Sequence, residues 1–414
     1  MKFSLPKNIY SIISILNKNS FSAHVVGGCV RDMLIGTTPK DWDITTNASP
    51  DAVKTLFQKT YETGIKHGTI TVSYEGTLVE VTTWRKETQY SDHRRPDHVY
   101  FTKSLTEDLA RRDFTMNALA YHPDEGLIDP FNGLSDINLR TIRCVGDPLK
   151  RFLEDALRML RAVRFSAQLG FQIEEKTFTA IKALSDDLAY VSMERIQIEV
   201  NKILESQTTD GIVLLWKTGL SKVIFPGIQE LPPQWIEVAG RLTEVEDRKV
   251  ILLALLFYTY FNNDAINHAR GLLDRLKYDR TTLHGVTQHL QSLQGLGIFS
   301  ERNIRRMATE YGEKTAKATL RIIGLLNTIT GFGMSAISCN DSSGNHSDVG
   351  LISIKLTVSG LDLKNAGICQ GRDIKTMLSV LSLCLYEKPE LNDSDTLMRM
   401  VKHIIHLSIW TNSP

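Results

Sequence analysis

Val25-Val26-Gly27-Gly28-Cys29-Val30-Arg31-Asp32, followed shortly by Asp41-Trp42-Asp43-Ile44, is the stretch on which the fold turns. Two apolar residues, a glycine pair and a Val-Arg-Asp run predict a strand, a tight turn and the start of a helix. Glycines at such a turn let backbone amides approach a phosphate, and a helix N-terminus adds partial positive charge. Asp41 and Asp43 alternate with Trp42 and Ile44, so on a strand both carboxylates point to one face. Two such carboxylates form an oxygen site suited to Mg²⁺, whose shell is completed by phosphate oxygens and water. Paired metal sites of this kind drive in-line phosphoryl or nucleotidyl transfer. An Asp-x-Asp alone is more often a surface turn, and the upstream glycines are what give this one content. Glu80, in Leu78-Val79-Glu80-Val81-Thr82, is a third carboxylate in an apolar strand pattern, where an unpaired charge is costly. A structural ion pair accounts for Glu80 almost as well as a third metal ligand does.

Outward from this stretch the chain has two characters. Strand-like segments with β-branched and aromatic content (His24–Val26, Thr69–Tyr74, Leu78–Trp84 and His98–Thr102) predict a mixed α/β domain up to about residue 130. From Asp147 onward the pattern is helical: Arg151–Phe165, Met193–Leu204, Val250–Tyr260 and Thr315–Leu326 carry apolar residues at helical spacing. Leu231-Pro-Pro-Gln-Trp235 breaks that pattern and predicts a loop, and Ser338–Ser347 reads as an exposed linker. The expectation is an α+β protein, an α/β head followed by an all-α remainder.

Of the 414 residues, 48 are Lys or Arg and 47 Asp or Glu, so a uniformly basic nucleic-acid coat is excluded while a local basic groove is not. The runs Arg140–Arg164 and Arg302, Arg305, Arg306, Lys314, Lys317, Arg321 are candidates for such a groove, the second being equally a solvated helix face. The longest apolar run, Val250–Tyr258, is too short to span a bilayer. The first residues lack the features of a secretion signal, and five scattered cysteines read as free thiols. A cytoplasmic protein with no membrane partner is expected. The histidines offer no HExxH-like spacing, which disfavours a zinc enzyme.

Arg111-Arg112-Asp113-Phe114-Thr115-Met116-Asn117-Ala118 places guanidiniums, suited to triphosphate oxygens, beside a carboxylate and an amide, suited to ribose hydroxyls. A helix capped by Asp113 with solvated arginines accounts for the same residues. Arg85–Asp97 is a charged, aperiodic run with Pro96, either a solvated loop or a mobile element closing over a substrate. On the expected helix Arg151–Phe165, Glu154, Arg158 and Arg161 follow i, i+4, i+7, and Asp155 stands three residues before Arg158. A surface ion-pair ladder explains this spacing. The functional alternative is base reading. Cytosine and adenine each present an amine donor beside a ring-nitrogen acceptor, so Asp155 accepting and Arg158 donating would fit both. Uracil and guanine present the opposite order and would leave buried groups unpaired.

Together Gly27-Gly28-x-Val-Arg31-Asp32, Asp41-x-Asp43, Arg111-Arg112-Asp113-Phe-Thr-x-Asn117-Ala118, Asp129-Pro-Phe-x-Gly133, Glu154-Asp155-x-x-Arg158 and Ser192-x-Glu194-Arg195-Ile, in that order, closely resemble the class II tRNA nucleotidyltransferase (CCA-adding enzyme) and bacterial poly(A) polymerase family of the polymerase-β-like superfamily. The resemblance implies a nucleotidyltransferase head (1–138), a helical neck that selects the base (139–205), a helical body (206–337) and a helical tail that binds tRNA (350–414). It implies that Asp41 and Asp43 hold two Mg²⁺ ions; Glu80, from its own strand pattern, stays a further metal candidate. It assigns Gly27, Gly28 and Arg31 to the triphosphate, and Arg112, Asp113 and Asn117 to ribose and phosphate. Asp155 and Arg158 would read the base with Glu154 orienting Arg158, and Arg161 and Arg164 join the nucleotide-binding set. The expected reaction is template-independent addition of CCA to tRNA 3′ ends from CTP and ATP, releasing pyrophosphate. The alternatives are A-only or poly(A) addition on the same fold, or a non-catalytic RNA-binding protein. The Arg85–Asp97 loop resembles the element that CCA-adding members use in switching to A, and the absence of a long basic C-terminal extension weighs toward tRNA maturation. Near the C-terminus the chain departs from the family: no proline lies between Gly367 and Gly371.

Overall fold

The computed structural model describes residues 3–88, 98–242, 246–295, 301–330, 355–365, 367 and 372–406. Of the aperiodic loop expected at Arg85–Asp97, Arg85–Thr88 is instead a strand, because it pairs with His98–Phe101, and residues 89–97, like 338–347 and 368–371, lie outside the described residues. The chain divides into two compact units, Met1–Leu231 and Pro232–Pro414.

The first unit is built on a seven-stranded sheet. Its strands are β1 (Ala23–Val26), β2 (Asp43–Thr46), β3 (Thr60–Gly64), β4 (Thr69–Tyr74), β5 (Thr77–Thr83), β8 (Ala120–His122) and β9 (Gly126–Ile128). The hairpin β6 (Arg85–Thr88) and β7 (His98–Phe101) stands apart from it. The order is β3-β4-β5-β2-β1-β8-β9, antiparallel except for the parallel β2–β5 pair. Val25, Val26, Ile44, Ile70, Val72, Val79 and Val81 are buried, so the predicted strands are strands because their β-branched residues line a core. Helix α1 (Lys7–Lys18) contributes Ile9, Ile12, Ile13 and Leu16 at helical spacing. The turn after β1 opens α2 (Gly28–Leu34).

Asp129-Pro130-Phe131-Asn132-Gly133 proves to be a backbone device. Asp129 accepts from the Gly133 and Leu134 amides at 2.7 and 2.9 Å and so caps α5 (Gly133–Asn138). A Cβ on Gly133 would lie 2.2 Å from the Thr115 carbonyl oxygen, so only glycine permits the helix to approach that turn.

Expectation and structure part in the neck. The single helix expected over Arg151–Phe165 is two: α6 (Pro148–Glu154) and α7 (Leu157–Leu169), broken at Asp155, whose φ of −147° and ψ of 102° are extended. Asp155 instead accepts from the Leu157 amide at 3.1 Å, the kind of local bond by which aspartate leaves a helix and starts another. Helix α7 packs on α9 (Met193–Leu204), and α8 (Glu175–Leu184) lies against α6.

The second unit is helical throughout its described residues. Trp235, Leu252, Leu253, Leu255 and Phe257 are buried in its first part. Met377, Leu381, Leu385, Leu397 and Val401 form a separate core further on. The expected loop at Leu231–Trp235 extends no further than Pro232, because Pro233 occupies the first turn of Pro233–Arg241, where a missing N–H costs nothing. Several cations of the second basic run are bound within the protein: Arg302 pairs with Glu387 at 2.8 Å, Lys314 with Asp247 at 2.7 Å, and Arg321 donates to the Arg241 carbonyl at 3.2 Å. Among the described residues no helix is long and apolar enough to cross a membrane.

Candidate active site

Asp43 opens β2 and faces Glu80 across the parallel β2–β5 pair, which puts both side chains on one face of the sheet. Asp41 lies in the bend just before the strand rather than on it, yet close enough to act on Asp43 electrostatically. Burial pushes the Asp43 carboxyl up to about 6; the Arg112 guanidinium opposes this, while Glu80 and Asp41 add to it. The group is therefore short of positive charge, a shortage that a divalent cation would relieve. Among the described residues no cluster of three or more His, Cys, Asp or Glu is placed to hold a metal. The donor set is a carboxylate pair, which fits an oxygen-loving ion completed by phosphate and water. Glu80 is exposed, so the expected cost of burying its charge does not arise; what remains is its place beside Asp43.

Gly27 has φ +81°, a conformation open to glycine, and a Cβ there would lie 2.9 Å from Arg112 Nη1. The glycine turn thus admits a guanidinium close to the backbone. Arg112 Nε is buried without a hydrogen-bond partner, a donor left over for a ligand. The arginine pair is not solvated. Asp108, fully buried on α4 (Leu105–Ala110), accepts from Arg111 Nε at 2.9 Å and from Thr45 Oγ1 at 3.0 Å, and lies 3.6 Å from Arg112 Nη2. Sequence reasoning missed Asp108; its signal was an acid three and four residues ahead of two arginines, the helical ion-pair spacing.

Behind the turn, side chains from distant segments join in one chain of polar contacts. Arg31 is held by Asp32 at 2.6 Å and donates to Asn117 Oδ1 at 2.8 Å. Asn117 Nδ2 donates to Asp113 at 3.0 Å, and Asp113 accepts from Arg161 Nε at 2.8 Å. Asp113 caps no regular helix: only a short 3₁₀ turn, Thr115–Asn117, follows it. Burial would raise the Asp113 carboxyl, but Arg161, Asn117 and Arg158 outweigh burial and hold it down to about 2. A carboxyl lowered in the folded state stabilises above its unfolded value of 3.8, and that contribution is lost as the pH falls from about 4 to 2. The stability advantage of the parent over Asp113→Asn, about 2 kcal/mol at neutral pH, should shrink across that window in acid-unfolding curves. A difference that stays constant there would refute the assignment.

In the neck, Glu154 holds Arg158 at 2.7 Å as the spacing predicts. Arg158 also donates to the Arg151 and Arg111 carbonyls, both at 3.1 Å. Asp155 does not pair with Arg158. The helix break turns it to Arg195 on α9, whose Nη2 and Nη1 donate to it at 2.8 and 3.3 Å. Arg195 is thus a residue that sequence reasoning left out of the site, although it stands in a quoted motif. Arg164, expected among the nucleotide-binding residues, is turned to Glu199 on α9 and to Gln168, where it joins two neck helices. A Cβ on Gly28, one residue past the turn, would lie 3.6 Å from Arg31 Nη2.

A mixed sheet with Asp43 opening its central strand, Asp41 just before it, a glycine turn beside an arginine and helices after the sheet define the class: residues 23–143 match the poly(A) polymerase head domain. Residues 170–231 match the model described as the probable RNA and SrmB-binding site of polymerase A. The chain is 48% identical over 230 residues to the CCA-adding enzyme of Geobacillus thermodenitrificans, covering 55% of this chain and 56% of that one. It is 52% identical over 204 residues to that of Leuconostoc mesenteroides, covering 49% and 51%. It thus spans about half the length of these relatives. The crystal structure of the Bacillus stearothermophilus CCA-adding enzyme in complex with CTP superposes with a TM-score of 0.73 at 29% identity, over 97% of this chain and 98% of that one. Over these regions the chain is similar to the class II tRNA nucleotidyltransferase (CCA-adding enzyme) and bacterial poly(A) polymerase family. That family is one of metal-dependent nucleotidyltransferases.

Proposed function

We propose that this protein adds CCA to tRNA 3′ ends from CTP and ATP without a template, releasing pyrophosphate. The single observation carrying the reading is a buried Asp43 within electrostatic reach of Asp41 and of Arg112, whose guanidinium lies against the glycine turn. Similarity to relatives named CCA-adding enzymes, and to one solved with CTP, supports the choice among nucleotidyl transfers.

In this reading Asp41 and Asp43 hold Mg²⁺, with Glu80 at the edge of the same face. The bound ion supplies charge neutralisation for the attacking 3′-oxygen and the departing pyrophosphate. Gly27 and Gly28 let the triphosphate approach the backbone, and Arg31 and Arg112 bind its oxygens. Asn117 and Asp113, with Arg161 behind them, orient the ribose. Arg158, oriented by Glu154, donates to the ring nitrogen of C or A, and Asp155, steadied by Arg195, accepts from the exocyclic amine. Arg164 acts on the nucleotide from behind, by fixing α7 on α9. The partition into head (1–138), neck (139–205), body (206–337) and tRNA-binding tail (350–414) belongs to the same proposal.

The test is an incorporation assay with tRNA transcripts ending before CCA, after C and after CC, each nucleotide offered alone and combined. Addition of C, C and A followed by a stop is the expected result. Addition of A alone, or an unbounded A tail, would move the protein to the A-adding or poly(A) branch, and no incorporation would leave a binding protein.

A further inference from the structure

Three guanidiniums that serve different partners meet at one side chain. The Phe165 ring, on α7 and 5% exposed, has the Arg31 carbon Cζ 5.1 Å from its centroid, that of Arg161 at 5.5 Å and that of Arg164 at 3.8 Å. Arg31 comes from the head, where it is tied to Asn117; Arg161 reaches from the neck to Asp113; Arg164 is tied to Glu199. The ring is itself fixed by the head, because Phe114, next to Asp113, meets it edge-on with centroids 5.8 Å apart and planes at 87°.

Three like charges around one point repel unless something between them attracts. Asp32 pairs with Arg31, Asp113 with Arg161 and Glu199 with Arg164, and Asp113 and Glu199 each act on both neck arginines. The negative face of the Phe165 ring is near all three, and attraction to it grows when water is excluded. An aliphatic residue of similar size would fill the space and offer no such face.

We propose that Phe165 is a positioning residue: its ring is the common support that holds Arg31 and Arg161 at a set spacing, so that triphosphate and ribose are gripped together across the head–neck junction. This rests on the nucleotide-binding reading of those two arginines. The ring touches no reacting atom, so its effect passes through them. It should bear on nucleotide affinity, alike for CTP and ATP, and leave the rejection of UTP and GTP, assigned to Arg158, unchanged.

The experiment compares the parent with Phe165→Leu, which keeps apolar bulk, and Phe165→Tyr, which keeps the ring face. Binding of CTP, ATP and inorganic tripolyphosphate is measured by calorimetry on the full chain, with KM and kcat for each nucleotide alongside. Phe165→Leu should weaken all three ligands by about tenfold and raise KM more than it lowers kcat, with Phe165→Tyr restoring most of the loss. Unchanged tripolyphosphate and nucleotide affinity in a folded Phe165→Leu protein would overturn the proposal. So would a Phe165→Tyr protein as impaired as Phe165→Leu, which would mark a packing role only. Should Phe165→Leu not fold, the comparison of Phe165→Tyr with Phe165→Met, both measured for tripolyphosphate, decides in the same way. If the parent incorporates no nucleotide, the proposed reaction fails while the tripolyphosphate comparison still judges Phe165.

Discussion

Asp41→Ala is expected to reduce nucleotide incorporation by at least about a thousandfold, the equivalent of some 4 kcal/mol of transition-state stabilisation, while tRNA binding stays within about twofold. The effect follows from charge. Asp43 is already pushed up to about 6 by burial, with Arg112 opposing and Glu80 and Asp41 adding to the shift. Removing Asp41 relieves repulsion in the unliganded protein, so folding is not harmed. The same removal takes away half of a carboxylate pair that a hard divalent ion needs. Binding and stability therefore serve as controls: a melting temperature equal to or above the parent's, with activity gone, is the expected signature. Incorporation at the parent's rate would end the metal-site assignment.

The second large effect is expected at Arg158. A pocket built to hydrogen-bond a base rejects the wrong base by orders of magnitude because mismatched polar groups stay buried and unpaired. Arg158→Ala should admit UTP and GTP to within about tenfold of CTP and ATP, with transfer itself retained. Arg158→Lys keeps the charge but not the planar fork and should be relaxed in the same direction. Because Arg158 also donates to the Arg111 and Arg151 carbonyls, a melting curve accompanies the assay. If a folded Arg158→Ala protein excludes U and G as before, base reading lies elsewhere.

The head was legible because its signals are local. Alternating β-branched residues and the Gly27-Gly28 turn act over a few residues, and the strands expected at Thr69–Tyr74 and Leu78–Trp84 formed as Thr69–Tyr74 and Thr77–Thr83; of Asp41-x-Asp43 only Asp43 is on its strand. Glu154 and Arg158 pair as their spacing suggested, although they sit on two helices either side of the break at Asp155. Glu80 was misjudged in its burial. An apolar pattern implies two covered faces, yet Leu78 and Glu80 both lie on the open side of β5.

The neck shows where local reasoning stops. Helical spacing put Asp155 beside Arg158, and an uninterrupted helix would have kept it there. The actual partner is Arg195, forty positions along the chain. Asp155 leaves helical conformation because the Leu157 amide and the Arg195 guanidinium together offer its carboxylate more than one further helical turn does. Asp108 under the arginine pair and Phe165 under three guanidiniums are likewise products of assembly. By itself the sequence determined the classes of element and the glycine turn, since backbone conformation and side-chain periodicity act over a few residues. Which cation each buried carboxylate holds was decided only by tertiary structure, because a charge removed from water takes the partner that packing brings to it, wherever that partner stands in the chain.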